Sequence, residues 1–355
     1  MKSFSFNKSF FIRDSLISRT SKPFLIAEVA QAHDGSLGFA HSYIDLVASL
    51  GIDAIKFQTH LAEFETTTDD VFRVNFSFED KSRYDYWQRM EFTYDQWVGL
   101  YEHCCKANIV FLSSAFSIEA FNLLEKLNIP AWKVASGEIS NHSLLDAYIS
   151  TKKPILLSSG MSTFDDIDNT FDFLSSKNHM DVALFQCTTS YPTSPHEIGL
   201  NVINHMIRNY NIPIGLSDHS GDPLSSICSM ALGASLIEAH ICFSKSQFGP
   251  DSSSSLTPDQ FLYLSKSRDS IFDMLSNPVD KSVVPVKQKS LSKLFGRSLA
   301  LKKYCKAGTV VDSSMLTFKK PGSGLQLVDF SSLKSTKLVN DVPSTRLLRV
   351  DDFEL

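Results

Sequence analysis

Ile212-Pro213-Ile214-Gly215-Leu216-Ser217-Asp218-His219 is followed downstream by Ser235-Leu236-Ile237-Glu238-Ala239-His240. Each is a short apolar run, rich in Ile and Leu, that closes on polar residues and a histidine. Side chains alternate along a strand, so a histidine at its last position projects off the end of a sheet and not into its core. Two such histidines from neighbouring strands can converge on one metal ion and leave its other positions open. The bland alternative is a pair of polar residues capping strand ends. Six earlier apolar runs that also end on polar residues weigh toward the first reading.

Those runs are Phe24–Ala30, Ile52–Phe57, Ile109–Leu112, Trp132–Ala135, Ile155–Leu157 and Val182–Phe185, and with Ile212–Leu216 and Leu236–Ala239 they make eight candidate strands. Most of the intervals carry helical spacing, as in Ala40–Leu50 (Tyr43, Ile44, Val47, Ala48) and Ile118–Leu127 (Phe121, Leu124, Leu127). Alternating strands and helices imply a parallel sheet with right-handed crossovers. Eight such units over roughly 220 residues predict closure into an α/β (β/α)8 TIM barrel. No GxGxxG follows the first strand, which counts against a dinucleotide-binding fold.

Active sites of such barrels lie at the C-terminal ends of the strands. The residues there are Glu28; Lys56 and Gln58; Ser113-Ser114; Lys133, Ser136 and Glu138; Ser158-Ser159; Thr188-Thr189 and Tyr191; Ser217, Asp218 and His219; Glu238 and His240. Lys56 and Lys133 sit inside apolar strands, where an unpaired ammonium is expensive. A bound phosphate would satisfy both, helped by the surrounding hydroxyls. Structural ion pairs, Lys56 with Glu28 and Lys133 with Glu138, would serve equally well, and the pattern leaves both readings open.

The remaining segments are less decisive. Glu63–Tyr94 is long, charged and aromatic, and a loop at that end of a barrel can cover a substrate, although most of its rings are expected to pack in a core. Asp251, in Gly249-Pro250-Asp251, is either a ligand-binding carboxylate or a turn residue, and Thr257-Pro258-Asp259 opens a helix. Residues 1–22 read as a lead-in without strong periodicity. The expected division is a barrel domain over 1–280, a linker over 281–292 rich in Pro, Lys and Ser, and a small β-rich domain over 293–355. Its β-type runs are Ser298–Leu301, Thr309–Val311, Leu316–Phe318 and Leu347–Val350.

Net charge is −5 over 355 residues, with no basic stripe, which argues against nucleic acid as the main partner. No apolar stretch approaches the roughly 18 residues of a membrane span, so no membrane association is expected. The N-terminus lacks the continuous apolar core of a signal peptide. Six scattered cysteines include no CxxC, and the adjacent Cys104-Cys105 pair cannot bridge without strain. A reduced, cytoplasmic protein is the natural expectation.

Read together, the motifs resemble the sialic acid (N-acetylneuraminate) synthase family of the bacterial nonulosonate type. The resemblance spans nearly the whole chain. It is carried by Ile26-Ala27-Glu28-Val29, Asp53-Ala54-Ile55-Lys56-Phe57-Gln58-Thr59, Phe111-Leu112-Ser113-Ser114-Ala115-Phe116, Trp132-Lys133-Val134-Ala135-Ser136-Gly137-Glu138, Leu157-Ser158-Ser159-Gly160-Met161, Gln186-Cys187-Thr188-Thr189-Ser190-Tyr191-Pro192, Gly215–His219, Glu238–His240, Gly249–Asp251 and Lys319-Lys320-Pro321-Gly322-Ser323-Gly324.

The resemblance implies an antifreeze-like (SAF-type) C-terminal domain and condensation of phosphoenolpyruvate with an N-acylated mannosamine-type sugar. It implies catalytic roles for Glu28, Lys56, Glu138 and His240. Phosphoenolpyruvate would be held by Lys56, Ser114, Lys133, Ser136, Ser158, Thr189 and Ser217, and the sugar by Gln58, Tyr191, Asp251 and Lys320. A divalent metal, typically Mn2+ with Mg2+ or Co2+ as alternatives, would be bound by His219 and His240. A domain-swapped homodimer is implied as well. The chain departs from the family pattern Ile-Gly-x-Asn-His-x-Gly at Val29-Ala30-Gln31-Ala32-His33-Asp34-Gly35, and at Ala115, Thr189 and Lys320, where Pro, Asn and Arg are usual. Lys cannot offer the planar fork of Arg, so the Lys320 contact is the least secure of these. The rival readings are a related synthase acting on a phosphorylated acceptor and a non-catalytic carbohydrate-binding barrel.

Overall fold

Two short strands, β1 (Ser9–Ile12) and β2 (Ser15–Ser18), precede the eight expected ones: β3 (Phe24–Ala30), β4 (Ala54–Thr59), β5 (Val110–Ala115), β6 (Trp132–Val134), β7 (Ile155–Ser158), β8 (Val182–Cys187), β9 (Ile214–Asp218) and β10 (Leu236–His240). The computed structural model describes residues 4–74, 76–333 and 336–354; Met1–Ser3 of the lead-in and Leu355 lie outside the described residues. Strands β3 to β10 are parallel in the order β5-β4-β3-β10-β9-β8-β7-β6, and the two end strands lie against each other, which closes the expected barrel. The helices that follow the strands start on side-chain caps, as at Ser36, Thr93, Ser117, Thr163 and Thr257. Among the described residues no helix is long and apolar enough to cross a membrane.

Alternation along the strands sorts the barrel into layers. Leu25, Ala27 and Val29 of β3 join the apolar layer shared with the helices, whereas Phe24 and Ile26 belong to the cluster inside the barrel. The inner cluster also holds Ala54, Val110, Leu112, Ala131, Leu156, Ala183, Phe185 and Leu236. Continuing each inward series by two residues gives Glu28, Lys56, Ser114, Lys133, Ser158, Cys187 and Glu238. The polar site is thus the uppermost layer of an otherwise apolar core. Gly215 makes room inside: a Cβ there would lie 2.7 Å from the Phe185 ring and 2.8 Å from the Leu236 carbonyl oxygen.

The lead-in, which reads as lacking strong periodicity, contains the β1–β2 hairpin. Its Phe10, Ile12 and Ile17 join the inner cluster, while Phe11 and Leu16 face solvent. Strands of four residues carry too few alternations to stand out in the sequence.

The pairing of β3 with β4 shifts register between Glu28 and Ala30, and Ala30 adopts φ +46°. That left-handed geometry sits at the position where the resembled family carries glycine. A β-branched residue tolerates it far worse than alanine. Ala30→Gly should leave stability within about 1 kcal/mol of the parent, relief of strain offsetting the lost methyl and the added chain entropy. Ala30→Val should cost about 2–3 kcal/mol. Urea denaturation checks this, and a valine variant as stable as the parent would contradict it.

The boundary between the two compact units of the chain falls between Asn277 and Pro278. In the smaller unit a helix, Val286–Phe295, runs through much of the stretch read as a linker. Strands β11 (Ser298–Leu301) and β12 (Leu316–Lys319) pair antiparallel over a core that includes Leu299, Leu301, Val311, Leu338, Val342 and Phe353. The runs at Thr309–Val311 and Leu347–Val350 form only isolated bridges, Val310 with Lys337 and Leu347 with Ala300. Val350 instead starts a 3-10 turn, because the Asp352 carboxylate accepts from the Arg349 amide at 2.8 Å and from Arg346 at 2.6 and 2.7 Å, which turns the chain out of a ladder.

Candidate active site

Four buried charged groups form the floor of the site. The Lys56 ammonium is 2.8 Å from Glu28 and 3.8 Å from Glu238, and that of Lys133 is 3.3 Å from Glu238. Lys133 donates to Ser158 Oγ at 2.6 Å, Lys56 to Ser114 Oγ at 3.4 Å, and Ser217 Oγ to Glu238 at 3.1 Å. The partner of Lys133 is therefore Glu238 and not Glu138. Glu138 falls in the 3-10 turn after β6, where its carboxylate accepts from Asn141 Nδ2 at 2.7 Å, whereas Glu238 points inward from β10. Burial opposes ionisation of Glu238, yet Lys133 and Lys56 hold its carboxyl down at about 2. Burial pushes the Glu28 carboxyl up against the pull of Lys56, and the Glu238 charge pushes the same way. Of the two acids, Glu28 is the readier to take up a proton.

Above this floor lies an inner cavity of 360 Å³, lined by Glu28, Lys56, Ser114, Lys133, Ser136, Ser158, Cys187, Ser217, His219 and Glu238, and by Gln58, Tyr191 and His240. Gly160 admits the hydroxyls there: a Cβ would lie 2.4 Å from Thr189 Oγ1 and 2.8 Å from Ser136 Oγ, and its amide donates to Ser136 Oγ at 3.0 Å. An outer cavity of 730 Å³ shares Gln58, Tyr191 and His240 with the inner one. Its walls include Phe72, Phe76, Tyr86 and Trp87, and its charged residues are Arg73, Arg83 and Asp251. The rings of the long segment pack largely on one another, Phe72, Phe76 and Tyr84 around Tyr86, Trp87 and Met90, and Phe72, Phe76, Tyr86 and Trp87 also line the outer cavity.

His219 Nδ1 donates to the Thr188 carbonyl at 2.8 Å, which leaves Nε2 as the acceptor for the Tyr191 hydroxyl at 3.2 Å. Tyr191 stacks on His219 with centroids 4.1 Å apart, and the His219 and His240 rings are 5.3 Å apart. Behind them Asp218 accepts from Ser226 Oγ at 2.7 Å, from Ser225 Oγ and from the Ser220 amide at 2.9 Å, tying the end of β9 to the helix Pro223–Ala231. Asp251 is 3.9 Å from His240 Nδ1. Among the described residues no group of three or more His, Cys, Asp or Glu converges as a metal site. A divalent ion here would take two imidazoles from the chain and its other positions from water or substrate, and the His219 tautomer suits that role.

Of the predicted residues, Glu28, Lys56, Ser114, Lys133, Ser136, Ser158, Ser217 and His219 line the inner cavity, Thr189 and Asp251 the outer, and Gln58, Tyr191 and His240 both. Glu138 lines neither, and Lys320 belongs to the smaller unit, its ammonium 5.4 Å from the Phe295 ring centre. Glu238 lines the inner cavity as well, and Arg73 the outer. Glu238 is two residues before His240 and so shares its inward face, a signal the sequence carried. Arg73 comes from an irregular loop that offered none; it lies 4.1 Å over the Tyr191 ring and 3.0 Å from Asp251.

The family model of the NeuB family matches residues 43–280. The chain is 31% identical to an N-acetylneuraminate-9-phosphate synthase of Homo sapiens, over 83% of this chain and 82% of that one. It is 28% identical to an N,N'-diacetyllegionaminic acid synthase of Campylobacter jejuni, over 92% of this chain and 99% of the relative. Among solved structures, the N-acetylneuraminic acid synthetase of Leptospira borgpetersenii superposes with a TM-score of 0.70 at 26% identity, over 81% of this chain and 95% of that one.

Proposed function

The chain belongs to the NeuB family, and on that premise we propose that it is a synthase condensing phosphoenolpyruvate with an N-acylated mannosamine-type sugar. The products are a sialic-acid-like nonulosonate and inorganic phosphate. The observation that carries this reading is the pair of cavities that share Gln58, Tyr191 and His240, the inner one holding Lys56, Lys133 and several hydroxyls beside Glu28 and Glu238, the outer one aromatic with a carboxylate.

In this reading Lys56, Lys133 and the serines of the inner cavity bind the anionic substrate and stabilise phosphate as it leaves. The enol carbon forms a bond to the aldehyde carbon of the open-chain sugar, whose oxygen takes up a proton. Glu28 lies beside the developing oxocarbenium centre and stabilises its charge. Water then adds to that centre, and the carbon–oxygen bond to phosphate breaks. Gln58, Tyr191 and Asp251, with Arg73 between the last two, orient the sugar. A divalent ion on His219 and His240, most simply Mn2+, would polarise the aldehyde.

Both arginines of the outer cavity are paired, Arg73 with Asp251 at 3.0 Å and Arg83 with Asp70 at 3.0 Å, and the acceptor we propose is unphosphorylated, in keeping with the likeness to the legionaminic acid synthase. The antifreeze-like identity of the smaller unit, and a homodimer that brings Lys320 to the sugar, belong to the same proposal. So does a place in the reducing cytoplasm, in keeping with six cysteines that are all free. Phosphate release from phosphoenolpyruvate, with N-acetylmannosamine, its 6-phosphate and di-acetamido trideoxyhexoses as acceptors, tests the assignment. Release with an unphosphorylated sugar is expected. Release with the 6-phosphate alone would overturn the acceptor class.

A further inference from the structure

Gln58 meets Glu28 through its amide nitrogen, Nε2 donating to Oε1 at 2.7 Å. What holds the amide that way round lies behind it. Gln58 Oε1 is 2.7 Å from Gln31 Nε2, and Gln31 Nε2 is 2.9 Å from His60 Nε2. His60 Nδ1 is 2.7 Å from Glu65 Oε1, and the other Glu65 oxygen accepts from the Leu61 amide at 3.3 Å. The His60 ring is clamped between Trp87 and Phe116, with centroids 3.9 and 4.4 Å away at interplanar angles of 20° and 12°.

Counting donors constrains the chain. A carboxylate only accepts, so the His60 Nδ1 that faces Glu65 carries a proton. Gln58 Oε1 is reached by Gln31 Nε2 at 2.7 Å and by His60 Nε2 at 3.1 Å, so with Gln58 Nε2 donating to Glu28 both contacts fall on its oxygen. With Oε1 occupied, the Gln58 amide presents nitrogen to Glu28, and its second N–H remains for a ligand. A flipped Gln58 would set two oxygens against each other at 2.7 Å. Both glutamines line the outer cavity, and Gln31 and His60 are buried.

We propose that Gln31, set by His60 and Glu65, is a positioning residue that fixes the Gln58 amide and, through it, the Glu28 carboxylate for the acceptor half of the reaction. This rests on the synthase reading of Glu28 and Gln58. The resembled family pattern leaves the position of Gln31 open and puts an amide at the position of Ala32. The effect of Gln31 falls first on the sugar, because Gln31 lines the outer cavity alone and reaches the inner one only through Gln58.

The test is steady-state kinetics on the full chain with Gln31→Met, His60→Phe and the double variant. Gln31→Met keeps length without donors; His60→Phe keeps the ring stack without nitrogens. Each single variant should lower kcat/KM for the sugar about 10–100-fold, the range for a displaced catalytic group. KM for phosphoenolpyruvate and the thermal shift it induces should stay at the parent value. The double variant should match the more severe single one, as expected of a single chain of contacts. Parent kinetics in Gln31→Met, or effects that multiply and follow a general loss of stability, would overturn the proposal while leaving the synthase reading intact. A parent protein inert with every acceptor would overturn both.

Discussion

Lys133→Met should reduce phosphate release about a thousandfold and also destabilise the fold, and the two effects should separate. The ammonium is 2% exposed, bonded to Ser158 and 3.3 Å from Glu238. Removing it leaves Glu238 buried with only Lys56, 3.8 Å away, as a counter-charge. Stranding one partner of a buried pair costs about 3–5 kcal/mol. Adding Glu238→Gln removes the stranded charge, so the double variant should regain most of the lost stability. It should not regain turnover, because a cation that stabilises departing phosphate is worth about 10²–10³-fold by itself. Chemical denaturation and phosphate release on the same samples report both quantities. A double variant that recovers activity along with stability would mean Lys133 is a structural counter-ion only.

His219→Ala should abolish turnover with little effect on the inner cavity. The imidazole stacks on Tyr191 and lines the cavity wall, whereas the Lys–Glu floor is held by its own contacts. The variant should therefore still show a thermal shift with phosphoenolpyruvate. It should lose the tight component of Mn2+ binding measured by titration calorimetry. In the parent, chelation should stop phosphate release and added Mn2+ should restore it. Full activity in His219→Ala would sink the metal assignment, and unchanged Mn2+ binding would move the ion elsewhere.

Much of this architecture was legible because the barrel imposes two simple periods. Each strand is an apolar run with a polar end, and most intervals carry helical spacing, so the eight units could be counted directly. The polar ends then named most of the residues that line the inner cavity. Glu238 shows where strand-end reading fell short: it was seen as polar, but nothing local tied it to Lys133 on a strand far away in sequence. The assignment of Glu138 as partner failed for the converse reason, since nearness in sequence says little once a turn redirects the side chain to Asn141. Arg73 and the contacts of Gln31 with His60 depend on how a long loop and a strand end meet in space. The β1–β2 hairpin was missed because four-residue strands leave too short a pattern.

The most direct measurement is the mass of the product formed from phosphoenolpyruvate and an unphosphorylated N-acylated mannosamine-type sugar with Mn2+. The account predicts a new acid equal to the sugar plus one pyruvate unit, with phosphate released in equal amount. Phosphate release without that carbon gain, or no reaction from folded, Mn2+-loaded protein across the acceptor panel, would contradict it.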